Sequence, residues 1–481
     1  MSDIKQKTKT GIIWNTLEKI FVQGISFILN LILARLLTPH DYGLLGLLTI
    51  FLTLSSVFID SGFSRALIQN QDRAESDFST ILIFNVVVSV VLYFVLFLCS
   101  PFIAEYFEIP ELVLLQRILF FVLILQALTV VQSVKLQIAV DFKKIAFINF
   151  FAVIVSGIVG ITAAYCGFGV WSLVIQAILK NIVLTALYWQ LGKWFPSTGF
   201  SYISFKKLFG FGSKLLLTGL IGTVINSINN LFIGKIYNAK SLGYYTRAEQ
   251  FPELTSGTIA GALSTVTFPL LASLQNNKDD LVVIFKRLIK ITSLVVFPAM
   301  LGLAVLSKVI VLVLLGEKWA ITGDYLFWLS LSYIFTPLSI LNLTVLNAIG
   351  RSDLFLKVDC VKIPLIFFVM AVTFPVSLKA VVIGRCASAF LYYYINAFVP
   401  GRLYGFGAFK QLACAWKGIV ASVIMSFAIM CVRLIIKNAF FNLIISILIG
   451  VTVYCLLLKL LKEKEFVYFM RRVCFTFRNV K

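Results

Sequence analysis

Residues 29–45 read LNLILARLLTPHDYGLL, and 200 residues further on residues 229–245 read NNLFIGKIYNAKSLGYY. Laid over one another without a gap, the two stretches superpose Asn30 on Asn230, Leu31 on Leu231, Arg35 on Lys235 and Gly43 on Gly243. The register continues outward, where Phe51 meets Phe251 and Ser64 meets Ser264. Each copy is an apolar run that stops at a short polar segment and restarts, as two membrane helices joined by a tight turn would read. An even number of spans separates the copies, so both keep the same orientation. That predicts two parallel, pseudo-symmetric six-helix lobes related by an axis along the membrane normal.

The rest of the chain supplies the spans. It has 481 residues, 60% hydrophobic and 13% charged, with a mean hydropathy of +0.98. A soluble protein carries about 45–50% apolar and about 25% charged residues. At about 20 apolar residues per crossing, we place some fourteen spans, near 11–37, 43–67, 79–100, 112–134, 145–166, 169–190, 208–236, 247–274, 283–305, 321–349, 354–374, 379–399, 412–433 and 439–460. The expected division is an N-terminal lobe over 1–194, a C-terminal lobe over 195–405, and two further helices with a basic tail over 406–481.

The formal net charge is +21, from 42 Lys and Arg against 21 Asp and Glu. These basic residues gather in alternate loops, roughly 27 on one side and roughly 8 on the other, which is the positive-inside pattern rather than a nucleic-acid footprint. Both termini are basic and belong on the cytoplasmic side. His40 is the single histidine, and no HExxH, GxSxG, P-loop or CxxC pattern occurs. We therefore expect no enzyme, no metal and no cofactor. The eight cysteines are scattered without metal-ligand spacing and read as free thiols.

Polar residues recur on single helical faces inside apolar runs. The second span carries Thr49, Thr53, Ser56, Asp60 and Ser64 at spacings of three and four. The first holds Glu18, Lys19, Gln23, Ser26 and Asn30, the seventh Lys214, Thr218, Asn226 and Asn229, and the eighth Arg247, Glu249, Gln250 and Glu253. Hydroxyl stripes also form packing seams between membrane helices. A carboxylate or ammonium at depth costs at least about 2.5–3.5 kcal/mol and faces water instead. The candidate cavity residues are accordingly Lys19, Asp60, Lys214, Asn226, Arg247, Glu249 and Glu253. Arg117, Lys180, Lys362 and Arg385 also interrupt apolar runs, with Asp359 set to pair with Lys362 at i,i+3. Arg433 and Lys437 mark the turn between the last two, otherwise apolar, helices, which read as an anchor.

The stretches GIIWNTLEKIFVQGISFILNLILARLLTPHDYGLLGL, IDSGFSRALIQ, AYCGFGVWSLVIQ, FGFGSKLL, IGKIYNAKSLGYYTRAEQFPEL, LLGEKW and IGRSDLF together resemble the polysaccharide-exporter, Wzx-type flippase branch of the MOP superfamily. The resemblance covers the chain from Gly11 to about Phe374. It implies an all-α, MATE-like integral membrane protein of two six-helix lobes plus two C-terminal helices. It also implies a polyprenyl-pyrophosphate-linked oligosaccharide repeat unit as cargo, moved by alternating access across the bacterial cytoplasmic membrane for O-antigen, capsule or exopolysaccharide assembly. In such proteins cavity cations bind the head group; the matching positions here are Lys19, Lys214 and Arg247 beside Asp60, Glu249 and Glu253. Coupling to an ion gradient or membrane potential is a further implication, for which Glu18, Asp60 and Glu253 are the carboxylate candidates. Expected partners are the lipid-linked oligosaccharide, membrane lipids and polysaccharide-assembly proteins, with no nucleic acid and a monomeric chain.

Two other readings stay open from the residues. A MATE-type exporter of small molecules shares the fold but favours acidic and aromatic cavity residues over these lysines and arginines. A membrane glycan polymerase or glycosyltransferase needs acidic catalytic groups near a sizeable external loop, and the loops here are short.

Overall fold

In the computed structural model, which describes residues 21–275 and 277–467, every described secondary-structure element is helical. The order is α1 (Phe21–Leu36), α2 (Pro39–Asp60), α3 (Phe63–Gln69), α4 (Glu75–Phe107), α5 (Leu112–Leu119), α6 (Val122–Ile138), α7 (Phe142–Tyr165), α8 (Val170–Gly192), α9 (Tyr202–Ile236) and α10 (Ala239–Ser273). There follow α11 (Lys278–Leu314), a 3₁₀ turn (Glu317–Trp319), α12 (Ala320–Tyr333), α13 (Phe335–Ala348), α14 (Ser352–Thr373), α15 (Leu378–Tyr404), α16 (Ala408–Cys414), α17 (Trp416–Ile435) and α18 (Ala439–Leu460).

Among the described residues, eleven segments are long and apolar enough to cross a membrane, fewer than the fourteen read from hydropathy. The physical reason lies in the other three. Only Phe21–Leu36 of the first span is described, the charges of α14 fall within its apolar run, and those of α10 gather in its first half. Helix α10 carries Lys240, Arg247, Glu249 and Glu253; α14 carries Asp353, Lys357, Asp359 and Lys362. The chain is a multi-pass, all-α membrane protein.

The chain divides into two compact units, Met1–Gly243 and Tyr244–Lys481. In the first, the repeat seen in the sequence is built into one helix crossing. Pro39 stops α1 because the residue before a proline avoids helical backbone. Thr38 then caps α2, its hydroxyl accepting from the Asp41 N–H at 3.3 Å while Asp41 accepts from the Thr38 N–H at 2.8 Å. The second copy has no proline. There Asn238, with φ of 126°, makes the break and its side chain accepts from the Ser241 N–H at 2.9 Å. Thr38 and Asn238, like Asp41 and Ser241, are 200 residues apart.

The helices that start there touch through their glycines. A Cβ on Gly43 would lie 1.7 Å from the Ala239 carbonyl oxygen, and a Cβ on Gly243 would lie 1.8 Å from that of Pro39. Position 43 meets 239 and position 243 meets 39, the exchange of partners that a local two-fold axis produces. Nearby, Lys235 donates to Glu108 at 2.8 Å, and that hydrogen bond holds the exposed Glu108 carboxyl below its ordinary range.

The span expected at 43–67 is interrupted. Ser61 and Gly62 adopt φ of 44° and 73°, so α2 ends and α3 begins at a new angle. A Cβ on Gly62 would meet Leu215 at 2.7 Å and the Gly212 carbonyl at 2.8 Å, so the break is packed directly onto α9. Behind it lies a core of Phe63, Phe78, Leu82 and Val131, with the Phe63 ring edge-on to Phe84 at 5.1 Å.

The second unit is organised around α11, whose Phe285 and Met300 share a buried cluster with Leu338 of α13 and Tyr393 of α15. One buried polar group of three is mutually paired there: Asn342 and Gln411 exchange hydrogen bonds at 3.0 and 2.8 Å, and Tyr393 donates to Gln411 at 3.0 Å. Helices α17 and α18 also join this unit. Gly418 lets α17 approach Leu294, and Tyr454 of α18 donates to the Leu294 carbonyl at 2.7 Å. Leu434 and Leu460 remain 86% and 75% exposed, which in a membrane protein makes that surface lipid-facing.

Candidate functional site

Within the first unit, a cavity of about 530 Å³ is lined by polar side chains from α2, α3 and α6 to α8. Asp60 and Ser64 flank the Ser61–Gly62 break, where the Asp60 carboxylate accepts from the Ser64 hydroxyl and, at 3.4 Å, from the Ser64 N–H. Helix α6 adds Gln126, Thr129, Ser133 and Gln137, α7 adds Asn149, and α8 adds Lys180 and Asn181. Lys180 lies about 15 Å along α8 from either end at 1.5 Å per residue, so it sits at mid-membrane depth. It is exposed and makes no ion pair among the described residues. An ammonium at that depth requires water or an anionic guest, and this cavity is where it finds either.

The stripe on α2 leads into this cavity. Thr49, Thr53 and Ser56 donate to the carbonyls of Leu45, Thr49 and Thr53 at 2.7, 2.7 and 2.8 Å. Their hydroxyl oxygens keep lone pairs for a guest, since each donor is already used. Lys214 and Asn226 are exposed on α9 of the same unit, but neither lines the cavity. Glu18 and Lys19 lie outside the described residues.

In the second unit the eighth-span residues are drawn into a separate cluster. Arg385 of α15 pairs with Glu249 of α10 at 2.5 Å. It also donates to Tyr333 at 3.2 Å and to the hydroxyl of Tyr245, while Tyr333 donates to Glu249 at 3.1 Å. The guanidinium lies 5.8 and 5.4 Å from the ring centres of Tyr245 and Tyr333. Glu249 is therefore engaged by a protein cation. Arg247 donates to Gln250 at 2.7 Å, and Glu253, one turn beyond Glu249, is exposed.

The structure brings Asp60 together with Lys180, and Glu249 together with Arg385. In the sequence both cations read only as interruptions of apolar runs. A usable signal was present: Gln126, Thr129, Ser133 and Gln137 repeat the three-and-four spacing of the α2 stripe. The other two interruptions are internally satisfied. Arg117 donates to Ser100 at 2.9 Å over the Phe97 ring, and Lys362 pairs with Asp359 at 2.5 Å, as the i,i+3 spacing suggested.

Among the described residues no group of His, Cys, Asp and Glu side chains is placed to hold a metal ion. What the cavity offers is an amide- and hydroxyl-rich surface with one ammonium and one carboxylate, suited to binding a polar guest. The chain is 28% identical over 360 residues to the teichuronic acid biosynthesis protein TuaB of Bacillus subtilis (strain 168), covering 74% of both chains. Its fold matches the structure of the lipid II flippase MurJ in an inward closed conformation, with a TM-score of 0.74 and 17% identity over 93% of this chain and 98% of that one. An inward-facing multidrug resistance MATE transporter of the MOP superfamily matches at 0.59, with 16% identity over 82% and 98%. The MATE-like fold expected from the resemblance is thus the observed one. Residues 32–322 match the profile of one family along well over half the chain, and the protein belongs to the polysaccharide biosynthesis protein family.

Proposed function

We propose that this protein is a flippase that carries polyprenyl-pyrophosphate-linked oligosaccharide repeat units from the cytoplasmic to the outer leaflet of the bacterial cytoplasmic membrane by alternating access. The observation that carries this reading is a polar cavity bearing Lys180 at mid-membrane depth in a member of a polysaccharide biosynthesis family. Hydroxyls and amides can replace the hydration of a glycan, and an ammonium can replace that of a phosphate, whose bare transfer into hydrocarbon is prohibitive. Family membership supplies the pathway class, and the transporter fold supplies the step: crossing the membrane rather than making a bond. Lys214 and Asn226, exposed on α9, are further candidate contacts within the first unit, as Arg247 and Glu253 of α10 are within the second. The lobes 1–194 and 195–405, with the tail 406–481, are the proposed moving parts. Asp60 and Glu253 are the proposed coupling carboxylates among the described residues.

Depletion of the protein in its native cell tests the reading. Full-length lipid-linked precursor should accumulate in the cytoplasmic leaflet while surface glycan disappears. Normal delivery of single, unpolymerised repeat units to the outer leaflet would instead favour a polymerase. Within this frame, Lys180→Gln should lower glycan output about tenfold, as loss of ~1.4 kcal/mol of head-group binding predicts, and Asp60→Asn, which removes a proposed coupling carboxylate, should lower it as well, both at unchanged protein level. Wild-type output from both would remove the cavity from the transport path.

Both termini are proposed to be cytoplasmic. Cysteines introduced at Asp72 and Glu111, exposed at opposite ends of α4, should then react with an impermeant maleimide from the inside and from the outside respectively. Labelling of both from one side would overturn the orientation.

A further inference from the structure

We infer that a second cavity, in the unit Tyr244–Lys481, binds a phosphate-bearing lipid headgroup at the membrane surface. It encloses about 360 Å³, within the range of small-ligand sites, and brings together Lys308 of α11, Asp324 and Trp328 of α12, Lys379 of α15 and Arg433 of α17. Four segments far apart in sequence thus contribute three cations and one carboxylate to one space.

The depth of the site matches a headgroup. Lys379 stands in the first turn of α15, Arg433 in the last turn of α17, and Asp324 near the start of α12, so the charges sit where these helices meet the interface. Half-buried Trp328 suits the same level, where amphipathic rings collect. Under the proposed orientation this is the outer surface, which holds roughly 8 of the chain's basic residues by the positive-inside count. Three of that small number converge on this cavity, against the bias that governs the rest of the sequence.

The charges are also arranged to accept an anion. Lys308 pairs with Asp324 at 2.9 Å, but the two side chains are 63% and 49% exposed, so solvent can compete for either partner. Close packing of Gly323 on the Lys308 backbone, where a Cβ would lie 3.1 Å from Lys308 Cα, fixes the root of that lysine. Arg433 spends one N–H on the Val305 carbonyl out of five donors. Neither Arg433 nor the exposed Lys379 has a carboxylate within ion-pair distance among the described residues. A phosphate ester fits this donor set, and its acyl or prenyl chain would continue along the apolar surface of α17 and α18. Two lipids share that chemistry: a resident anionic phospholipid and the pyrophosphate carrier itself.

The test uses the purified full chain in detergent with added lipid, and native mass spectrometry to count retained molecules. Phosphatidylglycerol should be retained and phosphatidylcholine should not. Lys379→Gln with Arg433→Gln should weaken that retention at least about tenfold, whereas Lys379→Arg with Arg433→Lys should preserve it. Lys379→Gln alone, at an exposed position that breaks no ion pair, must also lower retention, which guards against misfolding of the double variant. Displacement of phosphatidylglycerol by farnesyl pyrophosphate would assign the site to the carrier lipid, and persistence would assign it to a phospholipid; both support it. Equal retention by wild type and by folded Lys379→Gln would overturn it. The result is independent of whether the protein flips glycans, because it reads binding and not export.

Discussion

Alanine at Gly43 is expected to destabilise the protein severely. The added Cβ falls 1.7 Å from the backbone oxygen of Ala239, and a backbone carbonyl fixed at the start of α10 cannot swing aside as a side-chain tip could. The helices must separate, which exceeds the ~1–3 kcal/mol usual for overpacking. Alanine at Gly243 should act alike, since its Cβ meets the Pro39 oxygen at 1.8 Å. The informative case is the double variant. Once one methyl has opened the crossing, the other already has room, so the double should unfold at nearly the temperature of either single. Thermal unfolding of the three purified variants checks this; additive losses, or wild-type stability at Gly43→Ala, would show that the glycines do not share one contact.

Substituting Arg385 is expected to have the next largest effect. Arg385→Gln leaves Glu249 beside Tyr333 without its cation. Loss of one partner of a buried pair costs about 3–5 kcal/mol, and we expect about 2–4 here because the Arg385 and Glu249 side chains keep 27% and 16% exposure. Glu249→Gln should cost less, because Arg385 keeps its two tyrosine acceptors. Combining Arg385→Met with Glu249→Met removes both charges together and should recover much of the stability. Unfolding of the three variants in one detergent decides the matter, and equal stability of wild type and Arg385→Gln would sink the assignment of a buried pair.

Much of this architecture could be read before any coordinates. The offset between 29–45 and 229–245 placed Gly43 opposite Gly243, and the close approach of the two helices explains why small residues stand at both positions. Apolar run lengths located most of the spans. The break at Ser61–Gly62 was not legible, because hydropathy carries no information about φ, and a glycine in an apolar run reads equally well as a packing contact. The candidate site was half legible. Asp60 stood out as a carboxylate in a hydroxyl stripe, but Lys180 is a single ammonium among apolar neighbours, and only the convergence of α6, α7 and α8 shows that it faces polar groups. Glu249 illustrates the reverse. Its spacing along α10 suggested an open binding surface, whereas its cation comes from Arg385, more than a hundred residues away, where local pattern cannot reach.

The polarity of α10 and α14 bears on how the chain is made. A translocon releases helices into lipid according to their apolarity, and charged residues near a helix centre each oppose release by about 2.5–3.5 kcal/mol. As they emerge from the ribosome, the charged first half of α10, residues 239–253, and Ser352–Thr373 are poor candidates for independent insertion. Their apolar neighbours α9, α11 and α15 must therefore carry them in, so that biogenesis proceeds by groups of helices. The charges that need partners or water in the folded protein are also what make the assembly of these two helices cooperative, and a weakened neighbour would first appear as mis-insertion of α10 or α14.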